Sequence, residues 1–301
     1  IEIEDLLNLV NHKKGSTIPI KEEKNVIEVI DEFLLRLNTQ REITVKSETS
    51  IKYYKSFLLR LKGYLNSSNI LSFNNLNADL VIKVLNYCKV NNKSYSQGTI
   101  NTYFAIMRKL ISFAYEQNYI TKDIRYRFIK GKYYLSPKYF SNDQIKAILS
   151  KALNRTYGYR WRAIFITLLG TGLRVHELVN LKVRDFNIEN NLIYTKGKGG
   201  KERYVPIYPE VKKNVLDYIK LTGVKKWDNQ NNGYLFTRDY GVNREKKISI
   251  RSIQYQFENI SNELQLEKKF SVHSFRHTFA VNCLKVELRL EYLSQILGHE
   301  S

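Results

Sequence analysis

The strongest constraint on the fold is a set of apolar residues that recur every three or four positions through the first half of the chain. Four such series lie between residues 25 and 118, and the last contains Ile100, Phe104, Met107 and Ile111. This spacing puts apolar side chains on one face of an α-helix. Four helices that each carry one apolar face pack into a compact bundle. The first half is therefore predicted to be a helical domain.

A basic segment at residues 129–137 interrupts this pattern and contains Gly131 and Pro137. Because Gly and Pro interrupt regular structure, the segment is predicted to be an interdomain linker. The predicted organisation is an N-terminal appendage (1–23), a helical domain (24–128), the linker (129–137) and a second domain (138–301).

The second half mixes helical and strand periods. Ser141 is followed three residues later by Gln144, which is the signature of a capping box at the start of a helix. Short strands are predicted at residues 192–195 and 204–207, joined by the glycine-rich turn 196–201. Helical patterns return after the second strand. The chain is therefore predicted to be mainly α with a small antiparallel β-sheet.

The charge of the chain favours a polyanionic partner. It has 49 Lys and Arg residues against 29 Asp and Glu residues, a formal net charge of +20. The basic residues are spread along the chain, and no apolar run is long enough to span a membrane, so a membrane partner is not expected. Polar faces of the second and fourth helices favour DNA contact, although a solvated face is the alternative for any single residue. The candidate contacts there are Lys52, Lys55, Ser96, Gln97, Asn101 and Arg108.

The cysteines and histidines do not have the spacing of a metal site. Cys88 and Cys283 are far apart and are interpreted as buried thiols in a reducing compartment. None of the five His residues pairs with Cys in a zinc pattern. No metal and no cofactor is expected.

Four short motifs in the second half carry chemistry. The segment Gly170–Leu178 ends a helix and presents Arg174 and Glu177 on one face of the next helix. A local ion pair on the protein surface is the alternative interpretation of these two residues. The turn at 196–201 contains Lys198 between glycines, as a solvated basic hairpin also would. The segment 273–277 puts His273 and Arg276 on one helix face, and Gly298 precedes His299 after a helix end, as in an ordinary glycine C-cap.

The order of these motifs resembles the tyrosine recombinases, which include Xer-type, phage and transposon integrases. An Arg, a Gly-Lys-Gly hairpin, His-x-x-Arg-His and Leu-Gly-His follow one another over roughly residues 140–301. The resemblance of the first half to the family's core-binding domain is much less specific. The resemblance implies a two-domain C-shaped clamp around DNA, with a helical core-binding domain and an α/β catalytic domain.

The resemblance also implies roles for individual residues. Arg174 and Arg276 match the pair that grips the scissile phosphate, and Lys198 matches the general acid for the leaving 5′-oxygen. His273 matches a proton-transfer assistant, His299 a hydrogen-bond donor to the phosphate, and Glu177 an acidic residue that orients its neighbours. Lys201 and Arg203 on the hairpin are further candidate DNA contacts.

The family's nucleophile is a tyrosine about nine residues beyond the Leu-Gly-His motif. The given sequence reaches Ser301, so this tyrosine is expected downstream, and the chain to Ser301 is expected to bind DNA without cutting it. Tyr292 lies before the motif, in a helical stripe with Leu293 and Ile296, and is interpreted as a packing residue.

The function implied by the resemblance is site-specific cleavage and rejoining of DNA through a 3′-phosphotyrosyl intermediate, for integration, excision or transposition of a mobile element. Two alternatives remain open: relaxation of DNA as in type IB topoisomerases, and a non-catalytic sequence-specific DNA-binding protein of the same fold. The implied partners are double-stranded DNA, a homotetramer in synapsis and accessory recombination proteins. The expected location is the bacterial cytoplasm at the nucleoid.

Overall fold

The computed structural model describes residues 24–43, 48–87, 95–131, 138–197, 200–221, 233–238, 246–267 and 270–298. The chain forms two compact units, Ile1–Leu135 and Ser136–Ser301. The division falls inside the segment 129–137. Each unit has its own apolar core.

The first unit is helical, as the apolar spacing predicted. Its helices are α1 (Val26–Ile43), α2 (Glu48–Ser67), α3 (Ala78–Tyr87) and α4 (Gln97–Glu116). Leu58, Leu61, Met107 and Leu110 are fully buried between them. The backbone N–H of Leu80 donates to the side chain of Asn77, and the side chain of Ser96 caps α4. Polar caps of this kind satisfy backbone groups that a helix terminus leaves unpaired.

The second unit contains seven α-helices and one sheet among its described residues. The helices are α5 (Asn142–Leu153), α6 (Gly158–Thr171), α7 (Val175–Asn180), α8 (Pro209–Leu221), α9 (Ile250–Glu263), α10 (His273–Lys285) and α11 (Leu290–Leu297). The capping box predicted for α5 is present, because Ser141 and Gln144 bond to each other's backbone N–H groups.

The sheet has three antiparallel strands in the order β1 (Phe186–Asn187), β2 (Leu192–Lys196) and β3 (Glu202–Pro206). Tyr194 pairs with Tyr204, and Ile193 pairs with Val205. The predicted class, mainly α with a small antiparallel sheet, is confirmed. Strand β1 was not predicted, because a strand of two residues is too short to show alternation. Strand β3 begins two residues earlier than predicted.

An aromatic cluster lies beneath α10 and fixes its position. Phe275 stacks on Phe165 of α6 with 5.2 Å between ring centroids, and it lies 5.0 Å from Phe140. The backbone N–H of Phe140 donates to Oγ1 of Thr278 at 2.9 Å. Aromatic pairs at these distances add stability beyond the area they bury. The helix that carries His273 and Arg276 is therefore held firmly on its inner side.

Gly172 ends α6 in the left-handed conformation, with a φ of 63°. A Cβ atom at this position would lie 2.5 Å from Cδ1 of Phe279 and 2.8 Å from Cδ2 of Leu297. Glycine allows both the positive φ and the close approach of these side chains. The turn after α6 therefore depends on this residue and leads directly to Arg174.

Gly172→Ala is expected to lower the free energy of unfolding of the second unit by about 3 kcal/mol, because it combines left-handed strain with overpacking. Gly63→Ala in α2 is the control, since a Cβ there meets nothing within 4 Å. That variant is expected to raise stability by about 0.5–1 kcal/mol in its own unit. Thermal unfolding followed by circular dichroism measures both, and an unchanged midpoint for Gly172→Ala would contradict the argument.

Candidate active site

Glu177 is a buried carboxylate with two arginine partners. It lies in the first turn of α7, and its side chain has 0% exposure. Its Oε2 accepts from the backbone N–H of Arg174 at 2.7 Å, and its Oε1 accepts from Nη1 of Arg174 at 3.2 Å. Burial raises the pKa of a carboxyl, but hydrogen bonds from Arg203 and from the Arg174 backbone outweigh it, so the pKa of Glu177 is lowered. Glu177 therefore stays ionised, and its ion pair with Arg174 is partly buried.

Arg203 of β3 is the second partner of Glu177. Its Nη1 and Nη2 donate to the two carboxylate oxygens at 2.9 Å each, and its side chain is only 9% exposed. Its Nε donates to the carbonyl of Ile296 at 2.7 Å. Arg203 was expected to contact DNA; in the structure its guanidinium bonds to protein acceptors, which favours a role inside the protein. Strand alternation is the signal that could have shown this, since Arg203 shares a sheet face with the buried Val205.

Arg276 is also buried and held by backbone carbonyls. Its Nη1 donates to Gly172 O and its Nη2 to Leu297 O, both at 2.7 Å. Burial and the neighbouring charges of Arg174 and Arg203 lower the pKa of Arg276 to about 10. The guanidinium therefore remains cationic at neutral pH.

The C-terminal end of α11 brings the three arginines together. The carbonyl of Ile296 accepts from Arg203, that of Leu297 from Arg276, and that of Gly298 from Arg174 at 3.4 Å. The last carbonyls of a helix lack partners within the helix and carry the negative end of its dipole. They are therefore natural acceptors for guanidinium groups. No sequence pattern pointed to this arrangement.

The histidines of α10 lie in its first two turns. The rings of His273 and His277 are 4.8 Å apart between centroids and nearly perpendicular. Desolvation, followed by His277 and the nearby arginines, lowers the pKa of His273. Desolvation, then Arg276 and Lys138, lowers the pKa of His277. Both rings are therefore neutral near pH 7, so His273 is able to accept a proton.

Two predicted site residues, Lys198 and His299, lie outside the described residues. The base of the β2–β3 hairpin is described, and the N–H of Gly197 donates to the carbonyl of Lys201 at 2.7 Å. Lys201 is exposed. A Cβ on Gly197 would lie 3.3 Å from Nη1 of Arg203. The base of the hairpin that contains Lys198 in the sequence therefore lies beside the arginine cluster.

The candidate contacts in the first unit fall into two groups. Lys52 is exposed and Lys55 is half-buried on α2, so both ammonium groups can reach solvent. The other four bond within the unit. The hydroxyl of Ser96 caps α4, Gln97 donates to Asn101, Asn101 pairs with the backbone of Gly131, and Arg108 donates to the carbonyl of Phe128. These bonds give the four side chains a structural role inside the unit, and contact with DNA stays a prediction.

Cys283 is buried and its thiol pKa is raised by desolvation, as expected for an inert core thiol, whereas Cys88 lies outside the described residues. Within the described ranges, no group of three or more His, Cys, Asp or Glu side chains is placed to hold a metal ion. The helices in the same ranges include none that is both long and apolar enough to cross a membrane.

The free energy of unfolding is expected to fall as the pH drops below about 6.5, the ordinary His value, because the unfolded chain then binds more protons than the folded one. His273→Gln is expected to reduce this loss, since it removes one depressed imidazole. Thermal midpoints at about pH 7 and pH 5 test the effect. Lys213→Gln on the exposed face of α8 is the control. If His273→Gln lost as much stability between about pH 7 and pH 5 as the parent protein, a contribution of His273 to this loss would be refuted.

Comparisons with known proteins find a family match for each of the two units. The model of the phage integrase family matches residues 138–301, and that of the phage integrase SAM-like domain matches residues 25–130. Tyrosine recombinase XerC of Listeria monocytogenes serotype 4a (strain HCC23) is 27% identical over 274 residues, which are 90% of this chain and 88% of the relative. Tyrosine recombinase XerD of Staphylococcus aureus (strain Mu50) is 25% identical over 273 residues, 90% of each chain.

Two solved structures share the fold. The integrase of transposon Tn1549 in complex with circular intermediate DNA has a TM-score of 0.68 at 19% identity, with 92% of each chain covered. The lambda integrase dimer bound to a core site has a TM-score of 0.69 at 14% identity, with 92% of this chain and 96% of that chain covered. Since the family model spans more than half of the sequence, the chain belongs to the phage integrase family.

Proposed function

We propose that this protein is a site-specific DNA recombinase that cuts and rejoins strands through a 3′-phosphotyrosyl intermediate. A tyrosine oxygen attacks the scissile phosphorus, the bond from phosphorus to the 5′-oxygen breaks, and the 5′-oxygen takes up a proton. A 5′-hydroxyl of a partner strand later reverses these steps. The phosphotyrosyl bond retains the energy of the phosphodiester, so the reaction needs no nucleotide cofactor.

The observation that carries this proposal is the gathering of Arg174 and Arg276 at the end of α11. Each guanidinium has a bond to one of the last helix carbonyls, Gly298 O for Arg174 and Leu297 O for Arg276. Negative charge grows on the non-bridging oxygens of phosphorus in the transition state. Preorganised guanidinium groups stabilise such charge more than they stabilise the ground state.

The remaining roles follow the family resemblance. Lys198 is proposed as the general acid for the 5′-oxygen, and His273 as the group that accepts the tyrosine proton. His299 is proposed to donate a hydrogen bond to the phosphate, and Glu177 to orient Arg174 through the bonds described above. The nucleophile is proposed to be a tyrosine downstream of Ser301.

We further propose the partners and organisation of the reaction. Residues 24–128 would bind the core site, 129–137 would be the linker, and 138–301 would be catalytic. Double-stranded DNA is the proposed substrate, since the similar integrase structures are DNA complexes. A homotetramer holding two duplexes, accessory recombination proteins, a role in movement of a mobile element and a place at the bacterial nucleoid complete the proposal.

A covalent-adduct assay tests the chemistry. The full-length gene product is mixed with a nicked duplex of the element end in EDTA and run on a denaturing gel. A protease-sensitive protein–DNA band is expected, and it should disappear when the downstream tyrosine becomes Phe. Tight binding without an adduct would instead support a non-catalytic DNA-binding protein.

Arg276→Ala is expected to abolish adduct formation while most of the DNA affinity remains, because Arg276 is proposed to act on the transition state. A loss of about 100-fold or more is expected. Arg276→Lys keeps a buried cation and controls for folding, and Lys213→Ala controls for the loss of a surface charge. Retained cleavage by Arg276→Ala would remove that residue from its assigned role.

DNA affinity is expected to depend steeply on salt, because neutralised phosphates release counterions. A fall of about 10³-fold or more between about 50 and 200 mM salt corresponds to several phosphate contacts. Lys52→Ala with Lys55→Ala should lower the slope of log affinity against log salt by about 1–2. Lys83→Ala on the exposed face of α3 is the matched control. A flat salt response would contradict phosphate-dominated binding.

A further inference from the structure

The two arginines that meet Glu177 are held very differently. Arg203 gives the carboxylate two hydrogen bonds of 2.9 Å in a fork and is 9% exposed. Arg174 gives it one side-chain bond of 3.2 Å and is 26% exposed. Its other side-chain contacts, to the carbonyls of Leu297 and Gly298, are 3.5 and 3.4 Å long. Arg203 is therefore the principal counter-ion, and Arg174 is loosely held.

A buried carboxylate without a counter-ion is strongly destabilising. If Arg203 were absent, Arg174 would be the nearest cation to Glu177. If Arg174 then bonded to both oxygens of Glu177, its guanidinium would no longer be available to bind an anion. The partly exposed, loosely bonded state of Arg174 thus depends on the charge that Arg203 supplies.

Arg203 also joins three elements at the site. It belongs to β3, bonds to Glu177 of α7 and donates to Ile296 O at the end of α11. A Cβ on Gly298 would lie 3.1 Å from its Nη1, so the guanidinium packs directly on that glycine. A lysine has one ammonium group and no fork, so it cannot make these bonds together.

We propose that Arg203 is a positioning residue: it neutralises Glu177 and thereby keeps the guanidinium of Arg174 free for the scissile phosphate. The proposal rests on the function proposed above and adds a residue that does not touch DNA. It predicts that losing Arg203 lowers stability and the cleavage rate because Glu177 is left without its counter-ion. Removing the carboxylate as well should restore both.

A stability cycle tests the pairing without any reaction. Thermal midpoints are measured for Glu177→Gln, Arg203→Met, Arg174→Met and the two double variants that include Glu177→Gln. Arg203→Met alone is expected to lower the midpoint by about 10 °C, and adding Glu177→Gln should restore most of it. Arg174→Met should lower it much less. A coupling of Glu177 to Arg174 that equals or exceeds its coupling to Arg203 would overturn the proposal.

The adduct assay tests the effect on Arg174. Arg203→Met should lower the cleavage rate about 100-fold on an ordinary duplex with little change in DNA affinity. A methylphosphonate at the scissile position lacks one charged oxygen, so it needs less neutralisation. On that substrate the loss should shrink to about tenfold or less for both Arg203→Met and Arg174→Met. Arg203→Lys should cleave about as slowly as Arg203→Met. The double variant Arg203→Met with Glu177→Gln should cleave at least about tenfold faster than Arg203→Met alone.

The outcomes separate the two proposals. If the wild-type protein forms no adduct on either substrate, the proposed function fails, and the stability cycle still decides whether Arg203 is the counter-ion of Glu177. If Arg203→Met loses activity equally on both substrates and the double variant recovers nothing, Arg203 has only a structural role. That result would refute its positioning of Arg174.

Discussion

The buried charge of Glu177 is the interaction on which the site depends. A carboxylate with no exposure to water must be compensated by cations and hydrogen-bond donors. Arg203 and Arg174 provide them from a strand and from a helix start. Because the donors come from separate elements, satisfying one carboxylate also fixes the sheet, α7 and the end of α11 relative to one another.

The helix carbonyls perform the complementary task for the arginines. Three guanidinium groups close together repel one another, and this repulsion must be offset locally. The ends of α6 and α11 offset it with the carbonyls of Gly172, Leu297 and Gly298. Glu177 balances one of the three charges, and the backbone acceptors leave the other two uncompensated. The cluster therefore keeps a net positive charge.

The apolar core gives this cluster its rigidity. Phe275 lies between His273 and Arg276 in the sequence and packs against Phe165 of α6. The helix thus couples the core to the candidate site, because neighbouring residues on it anchor the helix and carry the candidate site side chains. Such anchoring fixes the positions of His273 and Arg276 before any ligand arrives.

Local patterns in the sequence determined the four-helix first unit, the capping box at Ser141, the helix stop at Gly298 and the β2–β3 hairpin. Each depends on residues only a few positions apart, so periodicity and turn chemistry were sufficient. The ordered motifs also determined the family. Only the tertiary structure decided what the arginines do, because Arg203 meets Glu177 across 26 residues and Arg276 meets Gly172 across 104. Such contacts depend on how distant elements pack, which no local spacing encodes, and so the role of Arg203 as the counter-ion of a buried carboxylate is visible only in the tertiary structure.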